Sequence, residues 1–325
     1  MPPMLSALPN GRRLGAHLPL AGGMVAAVDR AVEIGAGALQ IFADNPTAWR
    51  RRTEPLAELP AFRHRLDECD IGPIAIHAAY LVNLASPDDD FRERSIGVLV
   101  QELRVAPSFG ARFVNVHVGS HKLTDLSLGI ERIGAGAARA LAEVDAGPES
   151  AVLVLENSAG SGGNIGVTIE ELAAVLEAVA AHGADPARVG LCLDTAHLWG
   201  AGHDISDQAA VDRLLDEFDA RIGLQRLRMM HLNDSKATLG SKLDRHEHLG
   251  AGNIGVAGLR HILTSPRLAH VTYYLETPGM DEGYDAINVT RAHAIAAGEP
   301  LEPLPPGALT LRGSRARPAP AEDAS

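Results

Sequence analysis

The stretch DRHEHLG, residues 244–250, crowds two carboxylates and two imidazoles into five consecutive positions. In an extended segment, side chains two positions apart point to the same side. Asp244 and His246 would therefore face a common partner, while Arg245 and Glu247 would point away. Such a pair suits metal coordination, but a polar loop has the same composition, so the stretch alone decides nothing.

Eight short apolar runs recur along the chain, each ending in polar residues, with helically spaced segments between them. The runs cover residues 13–20, 38–42, 74–78, 113–119, 151–158, 189–197, 227–234 and 271–277. They are continuous rather than alternating, which is typical of parallel strands buried on both faces. Eight such βα units predict a single-domain α/β protein, a (β/α)8 TIM barrel over residues 13–301. A doubly wound open sheet is the alternative fold, and the regular alternation favours closure.

Three intervening segments carry helical patterns, at residues 24–36, 168–183 and 206–218. Thr168 and Glu171 form a capping-box pattern, and Gly183 stands where a glycine ends a helix. Ser206 is the expected N-cap of the third segment.

A TIM barrel places its active site at the carboxyl ends of its strands. Six of the eight predicted strands end in His, Asp or Glu: His77, His117, Glu156, Asp194 (with His197 just beyond), His231 and Glu276. Leaving so many imidazoles and carboxylates uncompensated on one face would be costly, whereas divalent metals keep carboxylates ionised and imidazoles neutral. Nitrogen and oxygen ligands without thiolates suit Zn²⁺, with Mn²⁺ or Fe²⁺ as alternatives.

The DRHEHLG stretch follows the seventh strand, so it belongs to a loop on this same face. There, His197 could complete a second cluster with Asp244 and His246, which gives ligands for more than one metal and for up to three. His17, His121 and His248 are expected to act as hydrogen-bonding or surface residues instead.

Composition sets the remaining bounds. The two cysteines cannot make a disulfide framework, no apolar run is long enough for a membrane span, and the N-terminus lacks a secretory signal, so we expect a reduced, cytoplasmic protein. The net charge of −12 argues against nucleic-acid binding, unless three bound divalent ions bring it to −6. Residues 1–12 and the Pro/Ala/Arg-containing tail, residues 302–325, are predicted to be disordered.

Several motifs in order resemble one known family, the endonuclease IV family of apurinic/apyrimidinic endonucleases. These are (β/α)8 barrels with three zinc ions that cut DNA 5′ to an abasic site. The resemblance spans about residues 13–300, and its most specific motifs are GLCLDTAHLWGAGHDI (190–205), HLNDS (231–235) and DRHEHLGAG (244–252). It implies a monomer that acts on double-stranded DNA containing abasic sites, associates with the nucleoid, and has accessory activity on 3′ ends.

The resemblance also implies a distribution of ligands over three zinc ions. His77 and His117 bind the first together with Glu156, the bridging catalytic residue that positions the attacking hydroxide. The second ion takes Glu156 with Asp194, His231 and Glu276, and the third takes His197, Asp244 and His246. The third ion would stabilise the departing 3′ oxygen, which leaves a 3′-hydroxyl and a 5′-deoxyribose phosphate, and the abasic nucleotide would be flipped out of the duplex.

The DNA-contact residues implied by the resemblance lie in two loops. Tyr80 matches the inserting tyrosine of the family, and Asn45, Thr47 and Trp49 lie in the loop after the second strand. Thr47 departs from the family, because many members carry there an arginine that wedges the DNA open. Packing is the competing interpretation for Tyr80 and Trp49.

Two other functions compete with DNA cleavage. A sugar isomerase or epimerase of the xylose-isomerase-like barrels would need only the set Glu156, Asp194, His231 and Glu276. The other predicted ligands would be surplus to that chemistry. A non-catalytic barrel that binds damaged DNA or a protein would have no evident need for three metals.

Overall fold

Eight parallel strands close into a barrel, with a ring of helices outside it, in the computed structural model, which describes residues 8–52 and 54–311. The barrel strands are β1 (Leu14–His17), β2 (Ala38–Ile41), β3 (Ile74–His77), β4 (Ala111–His117), β5 (Val152–Glu156), β6 (Val189–Asp194), β7 (Leu227–His231) and β10 (Thr272–Leu275). Each barrel strand pairs with the next barrel strand along the chain, and β10 closes onto β1, so the predicted TIM barrel is confirmed and the open sheet is excluded.

The helices follow the strands in alternation. They are α1 (Met24–Ile34), α2 (Leu59–Cys69), α3 (Asp89–Phe109), α4 (Leu126–Ala142), α5 (Ile169–Ala181), α6 (Thr195–Ala201), α7 (Gln208–Arg221), α8 (Val256–Thr264) and α9 (Tyr284–Ala297). Two short antiparallel strands, β8 (Asp234–Ser235) and β9 (His246–Glu247), form a hairpin in the loop between β7 and α8. No helix within the described residues is long and apolar enough to cross a membrane.

The barrel strands divide their side chains between two cores. Side chains that point inward form a small interior cluster, made of Ala38, Ala75, Phe113, Val152, Val154, Cys192, Met229 and Tyr274. Side chains of opposite parity, such as Leu153 and Leu155, pack under the helices in the larger core. Continuous apolar runs are needed because both faces of each strand are buried. Gly15 in β1 leaves no room for a side chain, because a Cβ there would lie 2.5 Å from the carbonyl oxygen of Ala38 in β2.

The predicted helix ends are partly confirmed. The Thr168 hydroxyl accepts a hydrogen bond from the backbone N–H of Glu171, as the capping pattern predicts. The Glu171 carboxylate instead accepts from the N–H groups of Gly166 and Val167. The prediction that Ser206 caps α7 is wrong, because Asp207 accepts from the N–H of Ala210 and is the N-cap. An ionised carboxylate is a stronger acceptor at a helix start than a hydroxyl.

Parts of both termini differ from the disorder that the composition predicts. Leu8 is buried in the core and Pro9–Gly11 form a 3₁₀ turn. Near the other end, Ala308–Thr310 form a 3₁₀ turn, and Ala308 is fully buried. The predicted disorder therefore does not extend to residues 8–12 and 302–311. The rest of both predicted segments, residues 1–7 and 312–325, lies outside the described residues.

Candidate metal centre

Strand parity brings the predicted site residues to the middle of the barrel. His77, Glu156, Asp194 and His231 each stand two positions after an inward-pointing core residue, at the last position of their strands. Glu276 continues the parity of Tyr274 just beyond β10. In the barrel register, His117 pairs with Glu156 and Asp194 pairs with His231. These side chains therefore meet at one level, on the carboxyl end of the barrel.

The first group consists of His77, His117 and Glu156, whose ligand atoms all lie within 4.8 Å of one another. Nε2 of His77 lies 3.6 Å from Oε2 of Glu156, and Nε2 of His117 lies 3.7 Å from the same oxygen. His77 and Glu156 are buried, while the His117 side chain is 30% exposed. The group is thus open to solvent on the His117 side.

The second group shares Glu156 and adds Asp194, His231 and Glu276, again within 4.8 Å. Nδ1 of His231 is the common point: it lies 3.2 Å from Glu156 Oε1, 3.4 Å from Glu276 Oε2 and 3.8 Å from Asp194 Oδ2. Three carboxylates thus surround one imidazole nitrogen, almost entirely out of water. Burying this much negative charge is costly unless a cation compensates it, so the group favours cation binding.

The third group consists of Asp194, His197 and His246. His197 lies in α6, whose N-cap is Asp194. The capping carboxylate of Asp194 accepts a hydrogen bond from the backbone N–H of His197, so one candidate ligand helps to position another. Asp244 joins the group from the loop before β9: its Oδ1 lies 3.1 Å from His246 Nε2, and its Oδ2 lies 3.3 Å from His197 Nε2. Arg245, between them in sequence, is exposed.

The orientation of the imidazoles fits a metal centre. The Nδ1 atoms of His77, His197 and His246 lie 2.7–3.0 Å from the backbone oxygens of Ala78, Asn157 and Glu276, respectively. Donation to a carbonyl oxygen puts the ring proton on Nδ1 and leaves Nε2 unprotonated towards the carboxylates. This is the arrangement that protein metal ligands adopt, since the outer hydrogen bond fixes the tautomer. The Nε2 of His246 accordingly faces carboxylate oxygens of Asp244 and Asp194, at 3.1 and 3.5 Å.

The electrostatics of the centre also favour a cation. Burial would lower the pKa of His246, but the carboxylates of Asp194 and Asp244 outweigh burial and raise that pKa to about 9. The same opposition raises the pKa of His197 well above its ordinary value. Burial would raise the pKa of Glu156, yet the surrounding imidazoles hold it well below its usual range. Without a metal, the cluster therefore retains protons, and a divalent cation would supply the same compensation.

Four polar residues that the sequence analysis did not single out support these groups. Gln40 Oε1 lies 3.0 Å from His231 Nε2, and its amide nitrogen donates to Glu276 at 2.7 Å. The amide of Asn115 donates to Glu156 Oε2 at 2.6 Å. Asn157 and Asn233 hold Asp194, through its backbone N–H and its Oδ2 respectively. For Gln40 and Asn115 a signal existed, because an amide inside a buried apolar strand requires a polar partner.

The histidines predicted to lie outside the ligand set are placed elsewhere. Nδ1 of His17 lies 3.2 Å from Glu276 Oε1, at the edge of the second group. His121 contacts the carbonyl oxygen of Thr124. His248 is fully buried behind the hairpin, against Asn288.

The four predicted DNA-contact residues lie in two loops that touch each other at this end of the barrel. The N–H of Tyr80 donates to the carbonyl oxygen of Pro46, and the Tyr80 side chain is 45% exposed. Asn45 and Thr47 are exposed and hydrogen-bonded to each other. Trp49 is half-buried, and its ring meets Phe91 edge-on at 4.9 Å. A groove of about 480 Å³ runs beside them, lined by Tyr80, His117, Ser120, Lys122 and Asn164.

Comparison with known proteins gives the lineage. The family model described as xylose isomerase-like TIM barrel matches residues 28–297. A protein named probable endonuclease 4 from Methanoculleus marisnigri is 38% identical over 283 residues, which is 87% of this chain and 98% of that protein. A protein of the same name from Halothermothrix orenii is 38% identical over 86% of this chain and 99% of its own length. The chain belongs to the endonuclease IV family. It is a deoxyribonuclease IV type endonuclease, which is a class of DNA-repair hydrolase.

Solved structures agree with membership in the endonuclease IV family. The crystal structure of endonuclease IV from Thermus thermophilus superposes with a TM-score of 0.76 at 38% identity, covering 88% of this chain and 99% of that one. A D-tagatose 3-epimerase-like protein superposes with a TM-score of 0.61 at only 17% identity, which shows the shared barrel alone. The resemblance predicted from the motifs is confirmed, and the epimerase alternative is not favoured.

Proposed function

We propose that this endonuclease IV family member repairs DNA by hydrolysing the phosphodiester bond 5′ to an abasic site, leaving a 3′-hydroxyl and a 5′-deoxyribose phosphate. The observation that carries the proposal is the convergence of the three ligand groups at the carboxyl end of the barrel. A sugar epimerase would use the second group alone, whereas phosphodiester cleavage has a use for all three.

The proposal includes three zinc ions, one for each group. His77, His117 and Glu156 would hold the first, and Glu156 would be shared with the second, which also takes Asp194, His231 and Glu276. His197, Asp244 and His246 would hold the third. The donors are nitrogen and oxygen atoms without thiolates, which suits Zn²⁺, with Mn²⁺ or Fe²⁺ as substitutes. When bound, the ions would lower the pKa of water at the site and neutralise charge on the phosphate.

The chain's own residues orient the reaction. Hydrolysis forms a bond from a water oxygen to phosphorus and breaks the bond from phosphorus to the 3′ oxygen, which leaves as a hydroxyl. Glu156 is fully buried and, with its Oε2 held by Asn115, has a fixed position from which to orient the attacking water. His117 is partly exposed and faces the 480 Å³ groove, so a phosphate that enters from the groove reaches this side first.

The DNA would lie across the loops at the carboxyl end of the barrel. Tyr80, Asn45, Thr47 and Trp49 are the contact residues that we propose. Tyr80 is the strongest of them, because it is large, exposed and lines the groove beside His117. An abasic nucleotide lacks a base to stack and is therefore easier to flip into the groove than an intact one.

We also propose action on blocked 3′ ends by the same centre, since a 3′-phosphate presents the same ester oxygen to it. We further propose that the protein is a monomer with a single endonuclease domain, residues 13–301, and that it acts at the nucleoid in the cytoplasm. These points rest on the family resemblance, and each has a direct measurement: release of phosphate from a 3′-phosphorylated primer, sedimentation, and imaging of the tagged protein.

The decisive experiment incubates the metal-loaded protein with a duplex that carries one abasic-site analogue, and compares it with an intact duplex. We expect incision 5′ to the analogue, no incision of the intact duplex, and loss of activity after prolonged chelation. Metal counting on the same samples gives the number of ions. A metal-loaded protein that leaves the abasic duplex uncut would refute the proposed function.

A further inference from the structure

A short C-terminal segment, residues 301–311, packs against the loop that carries Asp244 and His246. We call it the C-terminal strap. Its only regular structure is the turn Ala308–Thr310, yet Ala308 is fully buried and Leu301 packs against the main core. Such burial of an irregular segment needs partners for its backbone polar groups. These partners come from the residues that flank β8 and β9.

His248 makes the central contact. Its Nδ1 lies 2.9 Å from the amide nitrogen of Asn288, which can only donate, so the ring proton resides on Nε2. That Nε2 lies 3.2 Å from the carbonyl oxygen of Ala308 and donates to it. His248 stands two residues after His246 and is fully buried. Its imidazole therefore links the strap directly to β9.

Two further links fix the strap on either side. Lys236, which follows β8, donates from Nζ to the carbonyl oxygen of Leu311 at 3.4 Å and lies 3.6 Å from Glu247 Oε2 in β9. Arg291 in α9 donates to the carbonyl oxygens of Leu249 and Glu302, at 2.6 and 2.7 Å. The end of the strap at Leu311 is thus linked through Lys236 to β9, and the end at Glu302 is linked through Arg291 to Leu249, three residues after His246.

The hairpin needs such support. It contains only two residue pairs, Asp234 with Glu247 and Ser235 with His246. A two-stranded hairpin is marginal by itself in water. A metal ligand must be held within about 0.5 Å of its working position by the residues around it. His246 itself has one outward anchor of this kind, the carbonyl oxygen of Glu276 at 2.8 Å.

The strap lies beyond the part of the chain that the family model matches, which ends at residue 297. The hairpin thus lies inside the region that the family model matches, whereas the strap that backs it does not.

We propose that the C-terminal strap positions the third ligand group. His248 is the positioning residue through which the strap holds His246 in place. The proposal rests on the metal centre of the proposed function. It predicts that loosening the strap weakens one metal site selectively. The first two groups are built on or just beyond the barrel strands, and no hydrogen bond or ion pair among the described residues joins them to the strap.

The test measures Zn²⁺ binding to the full-length protein by competition with a chromophoric chelator, and Zn²⁺ per chain by elemental analysis. His248→Phe keeps an aromatic ring beside Tyr284, 5.3 Å away in the wild type, but cannot donate to Ala308. We expect one of its Zn²⁺ sites to lose affinity several-fold, less than the roughly 10- to 100-fold typical of losing a direct partner of a ligand, with the other sites unchanged. His248→Gln retains an N–H donor and is expected to recover most of this loss.

The outcomes separate the two levels of the proposal. Unchanged affinity at every site in His248→Phe overturns the role of the strap, and so does an equal loss at all sites, which would mean general destabilisation. A wild-type protein that binds no Zn²⁺ refutes the metal centre itself.

If His248→Phe does not fold, as judged by the unfolding temperature of the metal-free form, Lys236→Met takes its place. That variant removes the bond to Leu311 and is expected to weaken the same single site several-fold; unchanged Zn²⁺ affinities there would equally overturn the proposal.

Discussion

Nε2 of His246 lies 3.1 Å from Oδ1 of Asp244, although only one residue separates the two in the sequence. This places both side chains on the same side of the chain, as their i, i+2 spacing predicts. Arg245 between them is exposed, and Glu247 turns to Lys236 instead. One short extended segment thus brings two candidate ligand atoms together, with His197 opposite them.

We expect His246→Ala to bind one fewer Zn²⁺ per chain and to lose at least about 100-fold in incision rate, since removal of a ligand exceeds the effect of losing an outer hydrogen bond. Elemental analysis and incision of an abasic duplex measure the two effects. His121→Ala is the matched control, because His121 lies on the same face and its ring is hydrogen-bonded to the Thr124 carbonyl oxygen, outside the ligand groups. A fully active His246→Ala enzyme would contradict our interpretation of the loop.

Gln40 fixes the tautomer of His231, because its carbonyl oxygen faces Nε2 and leaves Nδ1 unprotonated towards the three carboxylates. Gln40→Leu is therefore expected to weaken Zn²⁺ binding at the second group by about 10- to 100-fold while keeping a buried side chain of similar size. Competition titrations with a chelator measure this. Gln225→Leu, at an exposed position, is the control. Equal Zn²⁺ affinities in both variants would exclude the role assigned to Gln40.

The barrel and the meeting of the strand ends could be predicted from sequence for a physical reason. Residues of one parity face the barrel interior, so a charged residue two positions after an inward apolar one, such as Glu156 after Val154, must face the same centre. The pairing of Asp244 with His246 followed from the same rule, because both positions lie in one extended segment.

Other features depend on contacts that composition does not encode. Asn233 binds Asp194 and Glu276, but nothing local in its sequence distinguishes it from a loop asparagine. The tail rich in proline and alanine was predicted to be disordered, yet the part up to Leu311 is held through backbone carbonyl oxygens, which every residue possesses. The residue types of a segment do not indicate which distant side chains will donate hydrogen bonds to its backbone.

Glu102 provides a test of how the stability of the fold depends on pH. Burial raises the pKa of its carboxyl to about 7, although Arg51 lies 3.8 Å away and opposes that shift. A carboxyl whose pKa is raised on folding stabilises the fold when protonated, below its unfolded pKa of 4.5. That contribution is lost as the pH rises from 4.5 through 7. The difference of 2.5 units corresponds to about 3 kcal/mol.

Glu102→Gln should therefore remove most of this pH dependence. We expect the free energy of unfolding of the wild type to fall by about 3 kcal/mol more than that of the variant between pH 4.5 and pH 8. Urea unfolding at the two pH values measures it. Glu93→Gln is the control, because Glu93 is exposed and pairs with Arg139 on the surface. Parallel pH profiles for wild type and Glu102→Gln would show that folding does not raise the pKa of Glu102.

Thr47 lies in the loop after β2, and among the hydrogen bonds described its exposed hydroxyl bonds only to Asn45 in the same loop. Thr47→Arg adds a positive charge beside Tyr80 in a protein whose net charge is −12. We expect tighter binding of abasic duplex, by about 3- to 10-fold at low salt, and a salt dependence steeper by about one unit in the log–log slope. The rate of incision at saturating DNA should stay unchanged, because Thr47 is outside the three ligand groups and its substitution removes no ligand. Fluorescence anisotropy over a range of salt concentrations measures binding, and single-turnover incision measures the rate.

Thr290→Arg, exposed on α9, adds the same charge and is the control. Equal gains in the two variants would mean that charge alone acts, and that the loop after β2 does not contact the DNA.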